Sequence, residues 1–240
     1  MFGITASGIQ TGSNWDIDDD FTSYTSDANF ASTYVTANSA RAFGDASEDY
    51  IRYLFAVQTD AQSLVRDFGS TISDTAWICR FKWKITLKQT NNTGYAVPTT
   101  FGWTDKNQTF NANDNCDGIG LNAYQDNLAR NFWSVYADGS AFHGSIGSGS
   151  NGTQFSRVAS NGADLWIQEV RDSATQTTVG IYDNEYTSVS EAKSTTIPST
   201  ITGLRYFKMA SSDCCTQSTG KQEGYVHQYL KFEDGATTPP

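Results

Sequence analysis

The chain has 240 residues, of which 38% are hydrophobic and 13% aromatic but only 18% charged, and its formal net charge is -10. That length suits a single all-β unit, and the acidic balance argues against attraction to nucleic-acid phosphates. No stretch reaches the roughly 18 consecutive apolar residues that a membrane-spanning helix needs.

Residues 1–15 are rich in Gly, Ser and Thr and read as an N-terminal arm; they lack the basic and apolar segments of a secretory leader. An external destination would then require a leader removed beforehand, or release by lysis. Short apolar or alternating runs follow at 21–24, 50–57, 63–68, 77–87, 97–103, 118–124, 132–136, 155–159, 165–170, 177–182, 204–209 and 225–232. Turn signals stand at Asp138-Gly139, Asn151-Gly152 and Asn161-Gly162. The stretch from Ser26 to Thr36 opens on a capping residue and predicts a helical turn or two. About a dozen strands with no long helix predict an all-β fold, a sandwich or a barrel.

Within these runs, Trp77 to Leu87 carries the clearest pattern. Trp77, Cys79, Phe81, Trp83, Ile85 and Leu87 alternate with Arg80, Lys82, Lys84 and Thr86, which makes a strand with one dry face and one cationic face. Leu165 and Ile167 likewise place Trp166 and Gln168 on the opposite, outer face of their strand. The closing run puts Val226, Gln228, Leu230 and Phe232 on one side.

Cysteine is scarce. Cys79 belongs to the dry face of its strand, while Cys116, Cys214 and Cys215 lie in polar segments where a bridge from Cys116 to one of the pair is open. No Cys-x-x-Cys is present, and His143 and His227 are the two histidines, which argues against a structural zinc site. Sequons at Asn91, Asn107 and Asn151 are no more than a chain this rich in Ser and Thr produces by chance.

Several segments together resemble the concanavalin A-like lectin/glucanase superfamily, and more narrowly its laminin-G-like jelly-roll members of environmental archaeal, bacterial and viral type. They are the acidic opening from Asp18 to Tyr24, the Asp74-Thr75-Ala76-Trp77 lead-in, Leu165-Trp166-Ile167, Tyr182 to Tyr186, Gly203 to Lys208 and the closing Leu230 to Gly235. The resemblance covers about residues 16–235 and leaves a C-terminal tail at 236–240. It implies two stacked antiparallel sheets, adjacent termini and a face that meets carbohydrate; fold alone does not settle function.

The β-glucan hydrolases of this superfamily carry Glu-x-Asp-x-Glu on one strand, so that alternate carboxylates share a face. No such run exists here; Asp16-x-Asp18-x-Asp20 and Asp183-x-Glu185 are the nearest patterns, and Glu169 and Asp172 fall on opposite faces. Alginate-lyase-like members use Gln-Ile-His and Tyr-Phe-Lys-x-Gly-x-Tyr-x-Gln strands. Tyr206-Phe207-Lys208 matches the first three positions of the latter, Met209 to Asp213 depart from it, and Gln-Ile-His is absent. A polysaccharide lyase pairing Tyr206 with His143 or His227, or a glycosidase, is the enzymatic alternative.

The favoured expectation is a non-enzymatic module at a cell surface, virion or other extracellular site, binding glycan, serving as a structural component beside copies of itself, or both. Its expected ligand residues are Arg80, Lys82, Lys84, Trp166, Gln168, Trp103 and Tyr136, since sugar C–H faces stack on aromatic rings and cations suit acidic glycans. Asp18 and Asp20, laid beside Asp234 of the closing strand, are expected to hold a structural Ca²⁺, an ion that takes oxygen ligands.

Overall fold

A computed structural model of the chain describes residues 15–36, 42–55, 63–89, 96–107, 116–125, 131–144, 152–158, 162–211 and 221–240. The elements in order are β1 (Ile17–Asp19), α1 (Asp27–Ala31), β2 (Tyr34–Thr36), β3 (Ala42–Asp45), β4 (Tyr50–Phe55), β5 (Ser63–Asp67), β6 (Trp77–Gln89), β7 (Ala96–Thr104) and β8 (Asp117–Gln125). They continue with β9 (Asn131–Asp138), β10 (Phe142–His143), β11 (Thr153–Val158), β12 (Asp164–Ser173), β13 (Gln176–Tyr182), β14 (Val189–Thr196), β15 (Tyr206–Ser211) and β16 (Lys221–Asp234). The strands form two eight-stranded sheets. The first runs β14-β13-β12-β6-β16-β4-β3, with β1 also on β16; the second runs β10-β9-β8-β7-β15-β5-β2, with β11 also on β9.

Every described pairing is antiparallel. β6 lies in the middle of the first sheet, where it pairs with β12 from Trp77 to Lys84 and with β16 along almost its whole length. Its dry face behaves as its alternation requires: Trp77, Cys79, Phe81, Trp83 and Ile85 are fully buried. These side chains meet Phe101 and Trp103 of β7 and Phe207 of β15 across the interior, with ring centroids 4.4 Å apart for Trp83 and Phe101 and 5.3 Å for Trp77 and Trp103. Large rings at such spacing fill the gap between two sheets and contribute the main apolar burial.

Two polar side chains of this interior find partners close by. The Trp83 indole N–H donates to the Tyr53 hydroxyl at 3.0 Å. Gly224 makes that contact possible, because a Cβ there would lie 2.6 Å from the same hydroxyl and 2.2 Å from the Lys84 carbonyl. Arg171, on the inner side of β12, donates to the carbonyls of Ser173, Ala174 and Ile201 and so ties the β12–β13 turn to the segment before β15.

Two differences from the sequence pattern have a clear origin. The opening strand is Ile17–Asp19, and 21–24 is a turn in which Phe21 takes a left-handed φ of 67°, with Asp19 and Asp20 each accepting a backbone N–H two residues on. The strand count exceeds a dozen because β2, β3, β10 and β14 are short or polar and show little alternation. The helical stretch is the five-residue α1, capped by Ser26, whose hydroxyl accepts the Asn29 N–H at 3.2 Å. Cys214, Cys215, Asn91 and Asn151 lie outside the described residues.

Candidate functional site

The outer face of the first sheet brings together five of the expected ligand residues. Antiparallel register sets Lys82 opposite Trp166, Arg80 opposite Gln168 and Lys84 opposite Asp164 on β6 and β12. One strand further out, Tyr182 of β13 pairs with Trp166. On the other side Tyr225 of β16 pairs with Lys84, and Tyr50 of β4 stacks on Tyr225 with ring centroids 5.0 Å apart. Tyr50, Tyr225, Trp166 and Tyr182 are all partly exposed. They form a belt across β4, β16, β6, β12 and β13, which at ~4.8 Å per strand spans about 19 Å.

The cations are interleaved with these rings and are not equally available. Lys82 is 6% exposed, its Nζ 3.1 Å from Asp164 and 4.6 Å from the centre of the Trp166 ring. Lys84 reaches the other oxygen of Asp164 at 3.4 Å and lies 5.9 Å from the Tyr225 ring centre. Burial works against the Lys84 ammonium, but the charge of Asp164 and the Tyr225 hydroxyl more than offset it and raise its pKa. Arg80 donates from Nε to Gln168 Oε1 at 2.8 Å, and its guanidinium lies 4.1 Å from the Tyr186 ring centre and 5.8 Å from that of Trp15. Tyr186 is held there by a left-handed φ of 53° and by its hydroxyl, which donates toward the carbonyls of Phe81 and Ile167 at 3.3 and 3.2 Å.

Trp103 and Tyr136 are not part of this face. Trp103 is fully buried among Trp77, Phe207 and Phe232, and Tyr136 is 5% exposed and stacked on His143 at 4.4 Å. Their parity held the signal: Trp103 shares a side of its strand with Phe101, and Tyr136 shares one with Phe132, all four packed in the interior. Sequence reasoning missed Tyr225, Tyr50 and Asp164. Alternation puts Tyr225 opposite Val226 in orientation, but only register brings it beside Lys84.

The acids expected to bind calcium do not converge. Asp18 faces Lys231 at 3.5 Å, Asp20 caps Thr22, and Asp234 accepts the backbone N–H of Ser73 at 2.7 Å. Asp19 points inward to Arg66. Among the described residues no cluster of three or more acidic, His or Cys side chains is placed to hold a metal ion. As placed, Asp18, Asp20 and Asp234 each engage a different partner, so the residues present do not support the expected Ca²⁺ site.

The structure does not bring Tyr206 and His143 together. His143 lies on β10, four strands from β15 in the second sheet and so about 19 Å away, and its Nε2 is 2.9 Å from Asp138. His227 lies on β16 in the other sheet. Glu169 points into the interior and Asp172 outward, so they share no face.

No protein-family model and no curated protein matches the sequence. Among solved structures, the alginate lyase from Klebsiella pneumoniae is similar at a TM-score of 0.52 and 10% identity, over 84% of this chain and 86% of that one. Alginate lyase A1-II', of polysaccharide lyase family 7, aligns at 0.49 and 8% identity, over 83% of this chain and 85% of its own. The VIP36 exoplasmic/lumenal domain in its Ca²⁺/Man3GlcNAc-bound form aligns at 0.48 and 11%, over 80% of each chain. At such identities it is the fold that is shared. The chain has the concanavalin A-like jelly-roll fold, with nearly all of its regular structure in two antiparallel sheets. No helix among the described residues is long and apolar enough to cross a membrane.

Proposed function

We propose that the protein is a non-enzymatic glycan-binding module that works outside the cell and holds its ligand across the strands on the outer face of the first sheet. The belt of partly exposed rings, Tyr50, Tyr225, Trp166 and Tyr182, carries this reading. Sugar rings offer C–H faces to such aromatics, and Gln168 and Asp164 stand beside them as hydrogen-bonding partners for hydroxyl groups. Rings mounted on strands of a packed sheet are already positioned, so little conformational entropy is lost when a glycan arrives. The solved structures of like fold include an alginate lyase from Klebsiella pneumoniae, which accords with a carbohydrate ligand.

Titration calorimetry against a panel of neutral and acidic polysaccharides tests the proposal. At least one polymer should bind, and Trp166→Ala and Tyr225→Ala should each weaken it by about tenfold, or ~1.4 kcal/mol, with the melting transition of each variant retained. Failure to bind any member of the panel, or binding indifferent to both substitutions, would sink the reading. A fall in polymer viscosity or the appearance of unsaturated ends would replace it with the lyase.

A further inference from the structure

Arg80 differs from the three lysines near it on this face. Lys82 and Lys84 share Asp164, and Lys231 faces Asp18. Among the described residues no carboxylate lies within ion-pair distance of Arg80, and its two terminal nitrogens have no hydrogen-bond partner. Its Nε is nonetheless pinned by Gln168 and its plane is held near the rings of Tyr186 and Trp15, while the side chain stays partly exposed. A guanidinium fixed at one edge and open at the other is prepared to donate two parallel N–H bonds to a planar carboxylate. In a chain of net charge -10, Arg80, Lys82 and Lys84 stand in one row on this face, with Asp164 paired to the two lysines.

Its place in the register supplies the geometry. The Arg80–Gln168 row lies two residues along the strands from the Lys82–Trp166–Tyr182 row, a separation of about 7 Å. An acidic group projecting from a sugar stacked on Trp166 or Tyr182 therefore falls within reach of the Arg80 side chain. We infer that the belt selects acidic polysaccharides of the uronate class, with Arg80 binding the sugar carboxylate. This inference rests on the glycan-binding reading above and assigns Arg80 as its specificity residue.

The test uses polygalacturonate and the same polymer with its carboxyl groups reduced to alcohols, which keeps the sugar backbone and removes the charge. At fixed ionic strength the intact polymer should bind about tenfold more tightly or better, and Arg80→Gln should bring the two within about twofold of each other. Arg80→Lys keeps the charge without the fork and should recover less than half of the preference, whereas Trp166→Ala should weaken both polymers by the same factor. Equal binding of the two polymers by the unaltered protein, or a preference that survives in Arg80→Gln, overturns the assignment of Arg80 while leaving glycan binding in place. Failure to bind either of these two polymers also overturns it, and binding elsewhere in the wider panel then decides the glycan reading separately.

Discussion

Glu169 lies on the inner side of β12, fully buried, opposite Cys79 of β6 and Val179 of β13. Burial pushes its carboxyl up to about 8. The Trp103 indole and the Leu121 amide pull the other way, but neither they nor any other described group closes a hydrogen bond to either oxygen. The acid is thus held neutral in the fold at pH 7 and ionises at about 4.5 when the chain unfolds. The folded state binds the extra proton, so its contribution is complete below about pH 4.5, declines as pH rises and is gone above about 8. Glu169→Gln should abolish this slope: its melting temperature should vary less between pH 5 and 8, and at pH 8 it should be the more stable by on the order of 2 kcal/mol. Melting profiles that run parallel across that range would show that Glu169 is not the titrating group. The same burial raises the Cys79 thiol well above its usual range, with the neighbouring Glu169 adding to it, so this cysteine acts as a small apolar filler.

At the scale of elements, the cationic face of β6 is governed by its pairing with β12. Lys82 is almost buried beneath Trp166, and Asp164, whose side chain is 31% exposed, is the carboxylate that compensates it. Replacing Lys82, Lys84 and Arg80 together would therefore remove packing as well as charge. Asp164→Ala leaves a buried ammonium without its partner and should cost about 1–3 kcal/mol in urea unfolding, while Lys82→Met, which keeps an unbranched stem under the ring, should stay within about 1 kcal/mol of the unaltered protein. In the double variant most of the Asp164→Ala loss should disappear; losses that simply add would mean the pair is not coupled. This pairing also marks the limit of what could be read in advance. Alternation is a property of one strand, so Trp77 to Ile85 and Leu165 to Gln168 disclosed which side each residue takes. Register is a property of two strands, and nothing local to Tyr225 or Asp164 says that Lys84 lies between them. The calcium expectation finds no support on similar grounds: the spacing of Asp18 and Asp20 does not disclose that β1 ends at Asp19, that Asp18 meets Lys231 and that Asp20 turns to cap Thr22.

For the molecule as a whole, the aromatic interior is crossed by a charged bridge near the start of the chain. Asp19 of β1, in the first sheet, accepts from Arg66 Nη1 at 2.6 Å, the Tyr34 hydroxyl at 2.9 Å and the Tyr24 hydroxyl at 2.7 Å. Arg66 and Tyr34 belong to β5 and β2 of the second sheet. Burial, with Asp19 alongside, keeps both tyrosines protonated and donating far above neutral pH. On its other face β1 presents Asp18 to Lys231, the residue opposite Arg80 in the register, so this three-residue strand joins the sheets and also pairs a cation beside Arg80. A low-dielectric bridge of this kind is costly to break from one side, because the remaining charge cannot be hydrated. Asp19→Ala should lose about 3–5 kcal/mol of unfolding free energy, and adding Arg66→Met should restore part of it by removing the stranded guanidinium. If Asp19→Ala costs under about 1 kcal/mol, the sheets are held by ring packing alone and the bridge contributes only to the placement of β1. Weakened polyuronate binding in Asp19→Ala, measured where the variant is still folded, would then locate its effect at the Lys231 and Arg80 end of that strand.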